Sequence, residues 1–387
     1  PNISSGMIPV VYDYGKEAFV KADTSSNWYN YNNKEWANIV ILKDKGISYE
    51  TDEVIPESNV DGYFVWIPRY KYEIFNLGNY NGYINGKPST SVAQEIKIVF
   101  ESKNTSKSTG NTVGSYLTHP AFTLGSEELD GIWVAKYETS GSTTDIDILP
   151  NVTSLRNINV STMFDLAYNY ERNLDSHMMK NTEWGAVAYL SHSKYGINSE
   201  VRINNSATYT TGCAATTPAL NYVNKEQTNH TEGYYNGCEN AYNTPVGVLA
   251  STTGNISGIY DMSGGACEYM AAYIENVYGS SGFTKSNISN YDSKYFDIYK
   301  SGTTSYDKRI LGDATGELGP FYYYKDSNGT NYYHNSWYAD YSNAGSSTYS
   351  WIHRSGAYYN GVVAGSFTFG NNTGTAYSHI SFRLVLK

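Results

Sequence analysis

Between Arg354 and Arg383 the chain runs for 28 residues without a charged side chain. At the chain's own 17% of charged residues, about five would be expected there. The run holds no Lys, Glu, Gln, Met or Trp, and every residue type in it can be reached from an AAC codon by changing the first two bases. That is the alphabet expected of a segment rewritten by adenine-directed mutagenesis. It is also the alphabet of a binding surface, with Tyr for rigid contact area and small polar residues for adaptable hydrogen bonds. Tyr- and Gly-rich surface loops that bind nothing share the same composition, so position has to decide. The run leads directly into a strand-like end, Phe382, Arg383, Leu384, Val385 and Leu386. The chain is therefore expected to carry an uncharged, contact-rich surface on a framework of strands.

With 387 residues the chain is long enough for one large domain or two and for a sizeable core. Its 40 Tyr and 35 Gly, combined with low charge, argue against disorder. The net charge of −10 is spread without a basic stripe, so no nucleic-acid partner is expected. No apolar run approaches the length of a membrane span, and direct membrane insertion is not expected either. Cys213 and Cys238 flank a polar Asn/Thr-rich excursion, where a disulfide would steady a loop poor in core residues. That pairing implies an oxidising location and leaves Cys267 as a free, buried thiol.

Residues 1–55 read as a small N-terminal β unit, with strands over 7–12 and 37–42 bracketing a turn-rich stretch at 27–33. The polar stretch 50–61, with Pro56, marks the boundary to a main domain over 56–387. There, strands are expected at 63–68, at 96–100 with Ile96, Ile98 and Phe100 on one face, and at 131–139. Two main helices follow. Ser161 or Thr162 would cap the first, running to about Asn173 with Phe164, Ala167 and Tyr168 inward. Thr182 would cap the second, running through Tyr195 with Trp184, Val187 and Ala188 inward and Gly196 as its stop. Beyond them come short strands and long irregular loops, which on a compact body usually carry function. The expected class is α+β.

No metalloprotease, nucleophile-elbow or phosphate-loop motif occurs. The seven histidines (His119, His177, His192, His230, His334, His353 and His379) are scattered, and no catalytic residue is assigned. One run does stand out: Gly258, Ile259, Tyr260, Asp261, Met262, Ser263, Gly264, Gly265, Ala266, Cys267, Glu268 and Tyr269. It resembles the GLYDMSGNVWEW signature of the formylglycine-generating-enzyme (sulfatase-modifying factor) family, a branch of the C-type-lectin-like fold. Further landmarks fall in family order. Residues 64–68 look like the opening strand, 133–139 like "FxMGKYEVT", 181–184 like a "PTEAEWEYAA" helix start, and 381–385 like the terminal "GFRxV". The resemblance spans roughly residues 60–387.

The resemblance implies a C-type-lectin-like domain with long irregular loops. It also shows where this chain departs from the oxidative members, which hold copper with two cysteines near the C-terminus. No cysteine follows Cys267 here, so neither copper nor oxidase activity is expected. Within the signature the family binds calcium through positions that correspond to Asp261, Gly264, Ala266 and Glu268. Hard oxygen ligands suit that ion. The alternative is that Asp261 caps a turn and Glu268 makes a buried hydrogen bond.

The remaining relatives of this kind are the variable proteins of diversity-generating retroelements, phage receptor-binding proteins and bacterial surface adhesins that end in a mutable ligand-binding segment. By that resemblance the segment is about 349–380. Its outward set is Tyr349, His353, Ala357, Tyr358, Tyr359, Asn360, Val362, Val363, Ser366, Thr368, Gly370, Asn372, Thr373, Thr375, Tyr377 and His379. Phe367 and Phe369 alternate with Ser366 and Thr368 and are expected to face the core. The frame would be residues 133–137 and 382–386, with Gly356, Gly361, Ala364, Gly365 and Gly374 shaping turns. Such a surface suits a host-surface protein or glycan met outside the cell, at a cell surface or virion tail, with Tyr358, Tyr359 and Tyr377 as anchors. The competing readings are a structural pilus or tail decoration and a formylglycine-generating-type oxidase.

Overall fold

Runs of β-branched and aromatic residues build two main sheets, with two main helices packed against them, besides smaller two- and three-stranded sheets. A computed structural model describes residues 1–77, 92–217, 233–301, 310–319, 323–325, 331–333 and 336–387, so His230 and His334 lie outside the described residues. The first strands are β1 (Met7–Asp13), β2 (Ala18–Lys21), β3 (Asn38–Leu42), β4 (Val60–Pro68) and β5 (Gly131–Ala135). Helix α1 (Val160–Tyr170), strand β6 (His177–Met178) and helix α2 (Asn181–Ser191) follow. The second half supplies β7 (Cys267–Ile274), β8 (Asp297–Tyr299), β9 (Trp351–Ser355), β10 (Gly365–Asn372), β11 (Ile380–Phe382) and β12 (Leu384–Leu386). The class is α+β.

The larger sheet has the order β6-β12-β5-β4-β3-β1-β2, with every neighbouring pair antiparallel. Strands from residues 1–55 and from beyond the expected boundary thus share one sheet. β3 pairs with β4 in the register Ile39↔Phe64, and Ile39, Val40 and Ile41 are buried in the same core as Val65 and Val134. A strand buried on both faces needs layers above and below it, which a short hairpin unit could not provide. The polar stretch at 50–61 is a surface connection between neighbouring strands.

The second sheet runs β8-β7-β9-β10, with β11 also lying along β7. β7 is parallel to β8 and to β11, and antiparallel to β9. One residue, Arg383, separates β11 in this sheet from β12 in the other.

The helices lie where the sequence placed them, but their ends differ. The N-cap of α1 is Asn159, whose Oδ1 accepts the Thr162 amide at 3.1 Å; Ser161 and Thr162 lie inside the first turn, and the helix stops at Tyr170. At the start of α2 the Thr182 amide donates to Asp297 Oδ2 of β8 at 2.7 Å, and Glu183 Oε2 accepts the Lys180 amide at 2.8 Å. A carboxylate remote in sequence thus satisfies an orphan helix donor. Every residue of α2 is buried. A helix without a polar face gives spacing rules nothing to locate its end, which comes at Ser191 rather than Tyr195. Strand β5 likewise ends at Ala135, and the strand expected at 96–100 is confined to Ile98–Phe100. Among the described residues no helix is long and apolar enough to cross a membrane.

Candidate functional site: the C-terminal face and its buried frame

The two arginines that border the uncharged run are both fully buried. Arg354, on β9, donates from Nε to Thr368 O at 2.8 Å, from Nη1 to Asn181 Oδ1 at 2.9 Å and Asp313 O at 2.8 Å, and from Nη2 to Ala314 O at 2.9 Å. It therefore ties β9 and β10 to the start of α2 and to residues 313–314. The Trp184 indole of α2 adds a bond to Ser366 O at 2.8 Å. Arg383 meets Glu268 with Nε at 2.9 Å and Nη2 at 2.6 Å, and reaches Ala135 O at 2.8 Å and Tyr260 O at 3.0 Å. Charge-assisted, forked bonds of this kind fix geometry more tightly than neutral ones.

Above this frame sits a continuous aromatic strip. The ring of Tyr358 lies 5.2 Å from that of Tyr359, Tyr359 lies 5.9 Å from His379, and His379 lies 5.3 Å from Tyr377. Tyr359 and Tyr377 are 39% and 36% exposed, and Tyr349 reaches 49%, so these rings are available to a partner. Asn360, Val362, Val363, Asn372, Thr373 and Thr375 are half-buried around them, as is His353. The turn at 357–360 is held by the Asn360 carboxamide, whose Oδ1 accepts the Ala357 amide at 2.7 Å, and by the Tyr358 amide donating to Gly265 O at 2.9 Å.

Four positions of the expected outward set are buried. Ser366 and Thr368 are 6% and 2% exposed, Ala357 is fully covered, and Gly370 is buried. Alternation turns Ser366 and Thr368 to solvent only if one face of β10 meets water. Instead residues 336–343 run along its edge, with Phe369 N donating to Tyr341 O, Asn343 N to Phe369 O and Tyr341 N to Val363 O, while the Trp184 indole bonds to Ser366 O and the His192 ring lies 5.6 Å from Phe367. Phe367 and Phe369 are buried as well, so both faces of β10 are interior. Gly370 is sterically fixed, since a Cβ there would come within 2.4 Å of the His353 ring.

Residues from elsewhere in the chain enlarge the strip. Tyr209 packs 4.9 Å and Tyr234 5.6 Å from Tyr358, and Tyr234 and Tyr235 are about half exposed. The Arg156 guanidinium stacks 3.7 Å over Tyr209 and bonds to Ser378 O, which places a positive charge at the rim of the strip. Burial, and after it the charge of Arg156, lowers the pKa of His379. The available signal for Tyr234 and Tyr235 was their place just before Cys238. Cys238 is bonded to Cys213 with Cα atoms 5.5 Å apart, and that bond anchors the excursion beside the C-terminal segment. Residues 218–232 of the excursion lie outside the described residues.

The signature run forms a buried junction. Asp261 Oδ1 accepts Asn204 Nδ2 at 2.8 Å and the Gly212 amide at 2.9 Å. Glu138 Oε1 accepts the Ala266 amide at 2.9 Å, and Ser355 Oγ donates to Gly264 O at 2.9 Å. As placed, Asp261, Gly264, Ala266 and Glu268 do not fit a calcium ion. The Asp261 carboxylate is met by N–H donors, the Gly264 carbonyl by a hydroxyl, and both Glu268 oxygens by a guanidinium that already supplies the positive charge. Among the described residues no group of three or more His, Cys, Asp or Glu side chains is arranged to hold a metal. Glu138, beside Asp261 and Glu268, has its pKa raised well above the usual carboxylate range by burial and then by those two charges. Cys267 is free and buried, and burial, with Glu138 and Glu268 nearby, pushes its thiol up to about 12.

No family model matches the chain, and no curated protein matches it.

Proposed function

We propose that this chain is a non-enzymatic ligand-binding protein of the C-type-lectin-like kind. In this reading it is a hypervariable adhesin or phage receptor-binding protein similar to the variable proteins of diversity-generating retroelements. It displays its C-terminal face outside the cell, at a cell surface or virion tail, to a host-surface protein or glycan. The carrying observation is the strip of Tyr358, Tyr359, His379 and Tyr377, with Tyr359 and Tyr377 exposed, seated on a frame pinned by two buried arginines. Aromatic side chains on a rigid base lose little entropy when they bind, and binding energy concentrates in a few such anchors. Two further observations support a binding role over thiol oxidation: Cys213 and Cys238 are consumed in a disulfide, and Cys267 is held as a neutral thiol in the core.

The test is a glycan-array and host-cell binding screen of the intact chain against a Tyr358→Ala/Tyr359→Ala/Tyr377→Ala variant. Binding lost in the variant, with the melting temperature unchanged, is the expected result. A chain that binds equally well without the three rings, or that converts a sulfatase-type cysteine peptide, overturns the reading.

A further inference from the structure

A second site lies at the other end of the sequence, and its residues are separate from those of the C-terminal strip. A cleft of about 310 Å³ opens beside the β1–β2 hairpin, lined among others by Tyr12, Tyr14, Phe19, Asn27, Trp28 and Glu35. This volume is at the small end for ligand sites and matches a head group better than a long chain.

The arrangement of its rings is specific. Tyr12 stands edge-on to Tyr14, with centroids 5.2 Å apart at 78°, and edge-on to Phe19, 5.2 Å apart at 76°. Rings set perpendicular to one another make the corner of a box and leave no flat platform of the kind on which a sugar ring lies. Tyr14 is 68% exposed, a large ring kept at the mouth of the cleft with little of its own surface buried.

The charge of the cleft is equally specific. Among the described residues Glu35 is the only charged one in its lining; it is exposed, and its carboxylate has no hydrogen bond or ion pair there. Tyr14 registers that charge: its pKa is raised, first by burial and then by Tyr12 and Glu35. The nearest buried cation, Lys136, lies 5.7 Å from the Phe19 ring centroid but is engaged elsewhere. Its Nζ donates to Asn38 Oδ1 at 2.8 Å, Ile256 O at 2.6 Å and Gly258 O at 2.7 Å. These three bonds take up all three N–H groups of the ammonium and hold it inside the core.

Aromatic rings set at right angles along one cleft, and a carboxylate without a counter-ion, are the two elements that recognise a compact organic cation. We propose that this cleft binds a small organic monocation, a quaternary ammonium or alkylated amine head group. Tyr12, Tyr14 and Trp28 supply the rings and Glu35 the opposite charge, with Phe19 backing Tyr12 from the core. The site does not depend on what the C-terminal face binds.

Choline is the probe, with dimethylbutanol, in which carbon replaces the charged nitrogen, as its uncharged control and glucose as a polyol control. Binding is followed by the fluorescence of Trp28 and Trp36, both of which line the cleft, and confirmed by calorimetry. The expected result is saturable choline binding at least about tenfold tighter than that of dimethylbutanol. Glu35→Gln and Tyr14→Ala should each weaken it about fivefold or more, with circular dichroism and melting temperature unchanged. Absence of saturation with choline, equal affinity for the neutral isostere, preference for glucose, or unaltered affinity in both variants overturns the proposal. Should Tyr14→Ala lose its fold, the Glu35→Gln result alone decides.

Discussion

Arg383 and Glu268 form a forked ion pair with neither side chain exposed to solvent. The pair joins β7 of one sheet to the residue that separates β11 from β12, and two carbonyls, Ala135 O and Tyr260 O, take the remaining guanidinium bonds. Removing one partner of such a pair strands a charge in the core. Arg383→Met should therefore destabilise by about 3–5 kcal/mol. Arg383→Lys should not rescue it, because an ammonium lacks the fork. Urea-denaturation midpoints of the two variants check this, and a lysine variant of wild-type stability would contradict it.

Within the C-terminal segment, cost should follow burial and not the charge-free alphabet. Phe367→Ala or Phe369→Ala should lose roughly 3–5 kcal/mol, whereas Tyr359→Ala and Thr375→Ala should stay within about 0.5 kcal/mol. Ala357→Val should behave as an overpacked core site and cost about 1–3 kcal/mol. Melting temperatures across this series separate the frame from the face. Equal tolerance at Ala357 and Thr375 would refute the burial assignment.

The bond between Cys213 and Cys238 closes a loop with a sequence separation of 25. The double Cys→Ser variant should be less stable by about 3 kcal/mol from loop entropy alone. Mass mapping of native, unreduced protein should show no alkylation at either of these cysteines, and none at buried Cys267 until the chain unfolds. Ready alkylation of Cys213 under those conditions would be the contrary result.

Glu317 gives the stability a traceable pH dependence. Its carboxylate accepts from Tyr189 at 2.7 Å, Tyr72 at 2.9 Å and the Gly312 amide at 2.8 Å, and burial raises its pKa to about 7 from 4.5. Between those values the native state keeps a proton that the unfolded chain releases. The native state then binds more protons, so this contribution falls as pH rises, by up to about 3 kcal/mol. His119, bonded to Gly312 O and pushed down to about 3, works in the opposite sense. Its contribution rises with pH from about 3 up to the ordinary histidine range. The difference between wild type and Glu317→Gln isolates the first effect. Wild type should lose stability relative to the variant between pH 5 and pH 8 in urea titrations, and a constant difference would rule the effect out.

Calcium provides a further check on the signature junction. With Glu268 neutralised by Arg383, adding calcium or a chelator should leave the melting temperature unchanged, because no native-state linkage is available. A calcium-dependent rise that disappears in Asp261→Ala would show that the junction rearranges around the ion.

Much of the framework was legible because local pattern and burial agree there. The apolar runs at 37–42 and 63–68 became β3 and β4, the second starting three residues earlier than expected, and Phe164, Trp184, Phe367 and Phe369 point inward as their spacing required. What local pattern could not carry was decided by partners remote in sequence. The start of α2 depends on Asp297, the two-sided burial of β10 on residues 336–343, and the occupancy of the signature turn on Glu138 and Arg383. The aromatic strip was half legible. Tyr358, Tyr359 and Tyr377 stood out in the uncharged run, but Tyr209 and Tyr234 join them only through the path of the disulfide-bounded excursion.

The passage of the chain from one sheet to the other over Arg383 alone has a consequence for how the segment can change. Adding or deleting one residue between Phe382 and Leu384 would slip β11 or β12 by a position and turn its side chains to the opposite face. Arg354 sets a similar limit at the other border, where its bonds to Thr368 O, Asn181 and Asp313 O hold β9 and β10 in fixed register. The face is thus open to replacement letter by letter and closed to changes of length through its strands. A combinatorial library built on this scaffold should vary Tyr358, Tyr359, Thr375, Tyr377 and their neighbours while keeping the number of residues between the two arginines constant.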